Sequence, residues 1–213
     1  MIPAQPPRPP VPPTPLSLAK VLLVEGATPL HFFEALLRKL GIADQIESRN
    51  FSSLSNLRPT LLSLVATSEF QRLVTSVGVV RDAETDAGVA SQSVNDALIA
   101  AGLTPARTPP IKTSVFILPD NANPGMIETL CMQAVASEPT LADACGCVQD
   151  FFACLGRHNI PVPADITFAK HHAQAFLATR PQVQLFPGLA AYRKYWPWDN
   201  AVFSALKQFL QAL

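Results

Sequence analysis

The chain has 213 residues, enough for one sizeable domain, and its 16 basic and 16 acidic side chains leave a formal net charge of zero. A protein that coats nucleic acid carries a basic excess, so that class is excluded, while an enzyme with a local basic groove is not. Only 15% of residues are charged and 48% are hydrophobic, a balance that points to a contact surface for a protein partner or a second copy of the chain.

Residues 2–15 hold eight prolines. Such a stretch cannot build a helix or a central strand and favours polyproline II, so residues 1–15 read as an extended or disordered tail. A PxxP ligand for an aromatic-lined groove is the functional alternative. Residues 16–213 then read as a single α/β domain. Its first element, Lys20 to Gly26, is a short apolar strand ending in Glu25. Thr28 fits a helix N-cap and Pro29 the first helical position. Phe33, Leu36, Leu37 and Leu40 follow at helical spacing, and Gly41 closes the helix. No glycine-rich loop of the phosphate-cradling kind is present. His31 reads as a surface residue. Residues 46–51 suggest a second strand, and residues 54–73 a helix that Pro59 kinks or restarts.

The strand predicted over residues 74–81 is rich in β-branched side chains, as strands buried on both faces are. It stops abruptly at Asp82, Glu84 and Asp86, spaced two apart. Val94, Leu98 and Ala101 mark a helix closed by Gly102. Connections this short favour parallel neighbours with right-handed crossovers. Residues 104–112 form a linker, residues 113–120 a further strand ending in Asp120, and residues 121–125 a loop. A helix starts near Ile127, with Glu128 in its first turn. From about residue 121 the chain reads as a helical extension, with segments at 141–155, 165–177 and 201–213. Between the last two, Tyr192 to Asp199 is aromatic and basic. It fits either a lid on the core or a stacking platform for bases.

No run of apolar residues reaches the ~18 needed to span a membrane, and no charged segment followed by an apolar core marks a signal peptide. Four cysteines without such a signal predict reduced thiols in the cytoplasm. Cys147, Cys154 and His158 share a helix face, with Cys145 two residues from Cys147 and Cys131 on the preceding helix, and a zinc site there would need thiolates or imidazoles from another segment, such as His171 or His172. No C-x-x-C spacing occurs, and the cysteines also fit as small buried hydrophobes.

Three predicted strands thus end in carboxylates: Glu25, Asp82 with Glu84, and Asp120. In open α/β sheets chemistry gathers beyond the carboxyl ends of the strands. Carboxylates converging there repel one another unless a cation or a shared proton offsets the charge. Oxygen-only ligands suit Mg²⁺ or Mn²⁺. Solvated acidic loops are the other reading of the same residues.

Val21-Leu-Leu-Val-Glu-Gly26, followed by a helix and later by Val79-Val-Arg-Asp-Ala-Glu-Thr-Asp86, resembles the Toprim domain of topoisomerases, bacterial primases and overcoming-lysogenization-defect nucleases. The chain more closely resembles the small stand-alone Toprim-like proteins of unassigned function. Pro119-Asp120, Gly125, Glu128, Lys170 and Trp196-Pro-Trp198 fit that pattern, which covers nearly all of the chain beyond the tail. The resemblance implies a mostly parallel sheet between helices, with additional C-terminal helices and Mg²⁺ at the carboxylate edge. It implies Glu25 as general acid/base or metal ligand, and Asp82 and Glu84 as metal ligands with Asp86 as an auxiliary. Asp120 and Glu128 add further carboxylates for one or two ions. Lys170 would stabilise charge on a phosphoryl group. Glu84 stands where the pattern has a second Asp; it reaches one methylene farther, which bears on octahedral geometry. Two functions follow as expectations: a Mg²⁺-dependent, nuclease-like phosphoryl-transfer enzyme acting on nucleic acid or nucleotide, or a non-catalytic regulatory module that binds metal or nucleotide and works with a protein partner.

Overall fold

The computed structural model describes residues 15–163 and 166–213. The expectation for the proline-rich tail falls almost wholly outside them. Four strands, β1 (Lys20–Val24), β2 (Ile46–Asn50), β3 (Ser76–Asp82) and β4 (Lys112–Leu118), form one all-parallel sheet in the order β2-β1-β3-β4. The fold is α/β, with helices on both faces and additional helices after the last strand, as the apolar runs predict.

Alternation along each strand divides the core in two. Leu22, Val24, Val80, Phe116 and Leu118 point to one face, and Val21, Leu23, Val77, Val79 and Ile117 to the other. The second face is covered by α2 (Leu54–Val65), α3 (Ser68–Leu73) and α4 (Ala87–Ala100). The first is covered by α1 (Ala27–Leu40) and the helices beyond the sheet: α5 (Ile127–Ala136), α6 (Ala142–Arg157), α7 (Phe168–Ala178), α8 (Pro187–Tyr192) and α9 (Ser204–Gln211). Burial on both faces is why β1, β3 and the second half of β4 read as apolar runs, whereas β2 at the sheet edge is half-buried and largely polar.

Several boundaries differ from the sequence reading. α1 begins at Ala27, with Gly26 as its N-cap at φ 94°, so Thr28 is not the cap. Pro29 sits inside the first turn, where its missing N–H leaves no helical bond unmade. Pro59 does not break α2; the chain restarts at Thr67, whose Oγ1 accepts the Phe70 N–H at 3.2 Å and so caps α3. β3 runs one residue farther than expected, which makes Asp82 the last residue of the strand.

α8 has no strong periodic signal and was not foreseen. Gly188 brings it against α1: a Cβ there would lie 2.3 Å from the Thr28 carbonyl oxygen. Trp196 and Trp198 are 2% and 6% exposed. Trp196 donates its indole N–H to the Pro187 carbonyl at 2.9 Å, and Trp198 packs edge-on against Phe32 at 5.0 Å between ring centres. The tryptophans are core residues, and the stacking-platform reading does not hold for them.

Candidate active site at the carboxyl edge of the sheet

Glu25 follows the last residue of β1. Gly26 donates its N–H to Asn50 Oδ1 at the end of β2, 2.8 Å away, which fixes the turn that carries Glu25. In register, Val24 lies beside Val80, so Glu25 comes level with Arg81. The Arg81 Nε lies 3.9 Å from Glu25 Oε2, and its Nη1 donates to the Ala90 carbonyl of α4 at 3.2 Å. Burial raises the Glu25 carboxyl above its ordinary range; Arg81 opposes that, Glu84 adds to it, and the Leu54 N–H and Lys170 oppose it.

Asp82 follows Arg81 directly, so the strand pleat turns it to the opposite face. There its Oδ1 accepts the Ile127 N–H at the start of α5, 3.0 Å away. Its carboxyl is pushed up to about 7, first by burial and next by the neighbouring Glu128; the Ile127 N–H opposes this, Glu25 reinforces it, and Lys170 opposes it. Glu128, on the first turn of α5, is only 8% exposed. Burial raises its carboxyl too, against a backbone N–H and the charge of Lys170. Its Oε2 is buried with no hydrogen-bond partner among the described residues.

Glu84 is held at φ 53° by a two-bond bridge to Gly125: the Glu84 N–H donates at 2.9 Å and the Glu84 carbonyl accepts at 2.8 Å. A non-glycine residue at positive φ is uncommon and is held here by its surroundings. Lys170, in the first turn of α7, is exposed, and its charge reaches Glu25, Asp82 and Glu128 together.

Five of the seven residues singled out from the sequence therefore share one electrostatic neighbourhood: Glu25, Asp82, Glu84, Glu128 and Lys170. The other two are spent on local structure. Asp86 caps α4 by accepting the Val89 N–H at 2.9 Å. Asp120 closes its own loop by accepting from Ala122 N, Asn123 N and Asn123 Nδ2 at 3.0, 2.8 and 2.7 Å. Burial pulls the Asp120 carboxyl up, but these bonds outweigh it and hold it below the usual range. Arg81 was missed. Its signal was in plain view, because a lone cation inside an apolar strand needs a buried anion.

Among the described residues, no three His, Cys, Asp or Glu side chains stand close enough to form a ready metal cage, and this holds for the cysteine set as well. Cys131 and Cys145 are buried, Cys147 is exposed and Cys154 lies between. Burial, then Glu128, pushes the Cys131 thiol well above its ordinary value. The pleat explains the split of the carboxylates: Glu25 pairs with Arg81 toward one face, and Asp82 meets Glu128 on the other. The donor set nevertheless fits a hard cation. It is all oxygen, and one buried oxygen, Oε2 of Glu128, lacks a hydrogen-bond partner among the described residues.

A family model described as "Protein of unknown function (DUF3226)" matches residues 19–213. No curated protein and no solved structure matches the chain.

Proposed function

The chain belongs to that DUF3226 family, and we propose that it is a Mg²⁺- or Mn²⁺-dependent phosphoryl-transfer protein of Toprim-like, nuclease-like character, acting on nucleic acid or a nucleotide. The observation that carries this reading is the buried, unpartnered Oε2 of Glu128 beside Asp82, whose carboxyl is raised to about 7. A buried and a half-buried carboxylate held together at such cost mark a place where a cation or a proton is exchanged.

Asp82, Glu84 and Glu128 would hold the ion. When bound, the ion supplies Lewis-acid polarisation of a phosphoryl oxygen. The remaining work belongs to the chain. Glu25, raised by burial and braced by Arg81, takes the proton of the attacking water as the new O–P bond forms and the bond to the leaving oxygen breaks. Lys170 faces the negative charge of the phosphoryl group. Asp86 and Asp120 keep their structural roles as cap and loop closure. Among the described residues no helix is long and apolar enough to cross a membrane; the cytoplasm, with its reduced thiols and millimolar Mg²⁺, suits this chemistry.

A second reading is a non-catalytic module that binds metal or nucleotide and works with a protein partner or a second copy of itself. It is favoured by the absence of a ready three-carboxylate cage among the described residues and by the exposed Val183, Leu185, Phe186 and Leu189.

Calorimetric titration of Mg²⁺ and Mn²⁺ into wild type and Asp82→Ala tests the proposal, paired with phosphodiester cleavage by Glu25→Gln. We expect binding in wild type that vanishes in Asp82→Ala. Glu25→Gln should retain binding and lose about 10²- to 10⁴-fold in rate, as general-base removal does. Equal metal binding by Asp82→Ala would refute the metal site. Binding without any cleavage would leave the second reading.

A further inference from the structure

A cavity of about 620 Å³ lies against the same edge. Its walls come from α5, α6 and α7: Met132 and Gln133, Cys145 and Gln149, Phe168 and His172. Glu84 and Gly125, the two ends of the strained bridge, also line it, so the cavity abuts the carboxylates. Its size falls within the range of ordinary small-molecule sites, and its mix of apolar wall and few polar groups is theirs too.

The polar groups have a particular character. The rings of Phe168 and His172, one helical turn apart, stack at 5.7 Å between centres and 23° between planes. Burial lowers the His172 pKa, which favours the neutral ring. Its Nε2 is buried without a hydrogen-bond partner among the described residues. Gln133 and Gln149 each carry an amide with both donor and acceptor capacity. Flat apolar surface, a neutral imidazole and amides suit a planar ring with nitrogen and oxygen atoms on its edge. They do not suit a fatty chain, which would leave the polar atoms unpaired, nor an anion, which finds no cation in these walls.

The same helix makes the connection to the chemistry. α7 lines the cavity with Phe168, Ala169 and His172, while its Lys170 acts on Glu25, Asp82 and Glu128. A ligand with a ring in the cavity would therefore carry its phosphate toward Lys170 and the carboxylates. We propose that this cavity is a nucleobase pocket, and that the substrate is a nucleotide unit whose base is bound between α5, α6 and α7 while its phosphate lies at the sheet edge. The placement of the phosphate rests on the function proposed above; the base pocket does not.

The test uses the full chain, calorimetry and defined probes: AMP, GMP, CMP and UMP, the parent nucleosides, and ribose 5-phosphate as a control without a base. Ala136, exposed at the end of α5 and lining the cavity, allows Ala136→Trp to fill it without disturbing the core. At least one mononucleotide should bind at least tenfold more tightly than ribose 5-phosphate, and lose at least tenfold in both Ala136→Trp and His172→Ala. Mg²⁺ titration should be unchanged in Ala136→Trp. Equal binding of ribose 5-phosphate, indifference to Ala136→Trp, or no nucleotide binding at millimolar concentration would each overturn the pocket. If Mg²⁺ fails to bind wild type, the metal reading falls, yet nucleoside binding lost in Ala136→Trp still supports the pocket. A pentanucleotide binding more tightly than its terminal mononucleotide would identify a strand end as the source, and the reverse a free nucleotide; both keep the base in the cavity.

Discussion

Asp82 concentrates the physics of the site in one side chain. Its carboxyl rises from an ordinary 3.8 to about 7 in the folded protein. Between those values the folded state holds a proton that the unfolded chain has released, so this group makes stability fall as pH rises from about 4 to about 7. Asp82→Asn removes the effect while keeping an oxygen for the Ile127 N–H. We expect the metal-free variant to be more stable than wild type by up to about 4 kcal/mol at pH 8, since the carboxyl rises from 3.8 to about 7 and each pKa unit is worth about 1.4 kcal/mol. The gain should vanish near pH 4. Urea unfolding in chelator at the two pH values measures it. Carboxylates at strand ends were legible in the sequence because apolar runs stop visibly. Which of them stay ionised was not legible. Asp86 and Asp120 look identical to Asp82 as letters, and only their distances to backbone N–H groups show that they serve as cap and loop closure. Arg81 escaped because a guanidinium in a buried strand is intelligible only once Glu25 stands beside it.

The bridge between Glu84 and Gly125 joins the turn after β3 to the loop before α5. Gly125 lies at φ 146°, and a Cβ there would meet Pro119 Cδ at 2.9 Å and Thr129 Oγ1 at 3.0 Å. Gly125→Ala combines a disfavoured backbone with two clashes, and a loss of about 2–3 kcal/mol is expected. Because the bridge also sets the orientation of Glu84, the variant should bind Mg²⁺ more weakly than its stability loss explains; calorimetry well below its unfolding temperature separates the two. Helix and strand types were readable from periodicity, and Gly41 and Gly102 mark the ends of α1 and α4 as expected. Boundaries were less readable where two signals compete. Thr67 outweighs Pro59 as the breaking point because a side-chain cap satisfies N–H groups that a proline merely lacks. α8 is six residues long, too short to show a period, and it is held by packing against α1.

At the scale of the molecule, the sheet is covered by two unequal layers. Leu210 of α9 is fully buried in the larger one, whereas Leu62 of α2 is 45% exposed. Leu210→Ala should cost about 2–5 kcal/mol and Leu62→Ala about 0.5 kcal/mol or less, a contrast that denaturant midpoints resolve. The α/β class and the parallel sheet were legible because double burial writes itself as unbroken Val, Ile and Leu. The helical cover beyond the sheet was legible only as helices, since nothing in their periods says which face of which strand they meet.

That division of labour has an order in time. The face covered by α2, α3 and α4 closes with residues that leave the ribosome before or with the last strand. The opposite face keeps Leu22, Val24, Val80, Phe116 and Leu118 without most of their cover until α5 to α9 arrive. While the helices after β4 are still being made, the nascent chain therefore offers a half-dressed apolar sheet to its surroundings. Lys170 and Glu128 come with that late cover, so the cation and the second carboxylate that act on Asp82 join the site only after the sheet's last strand.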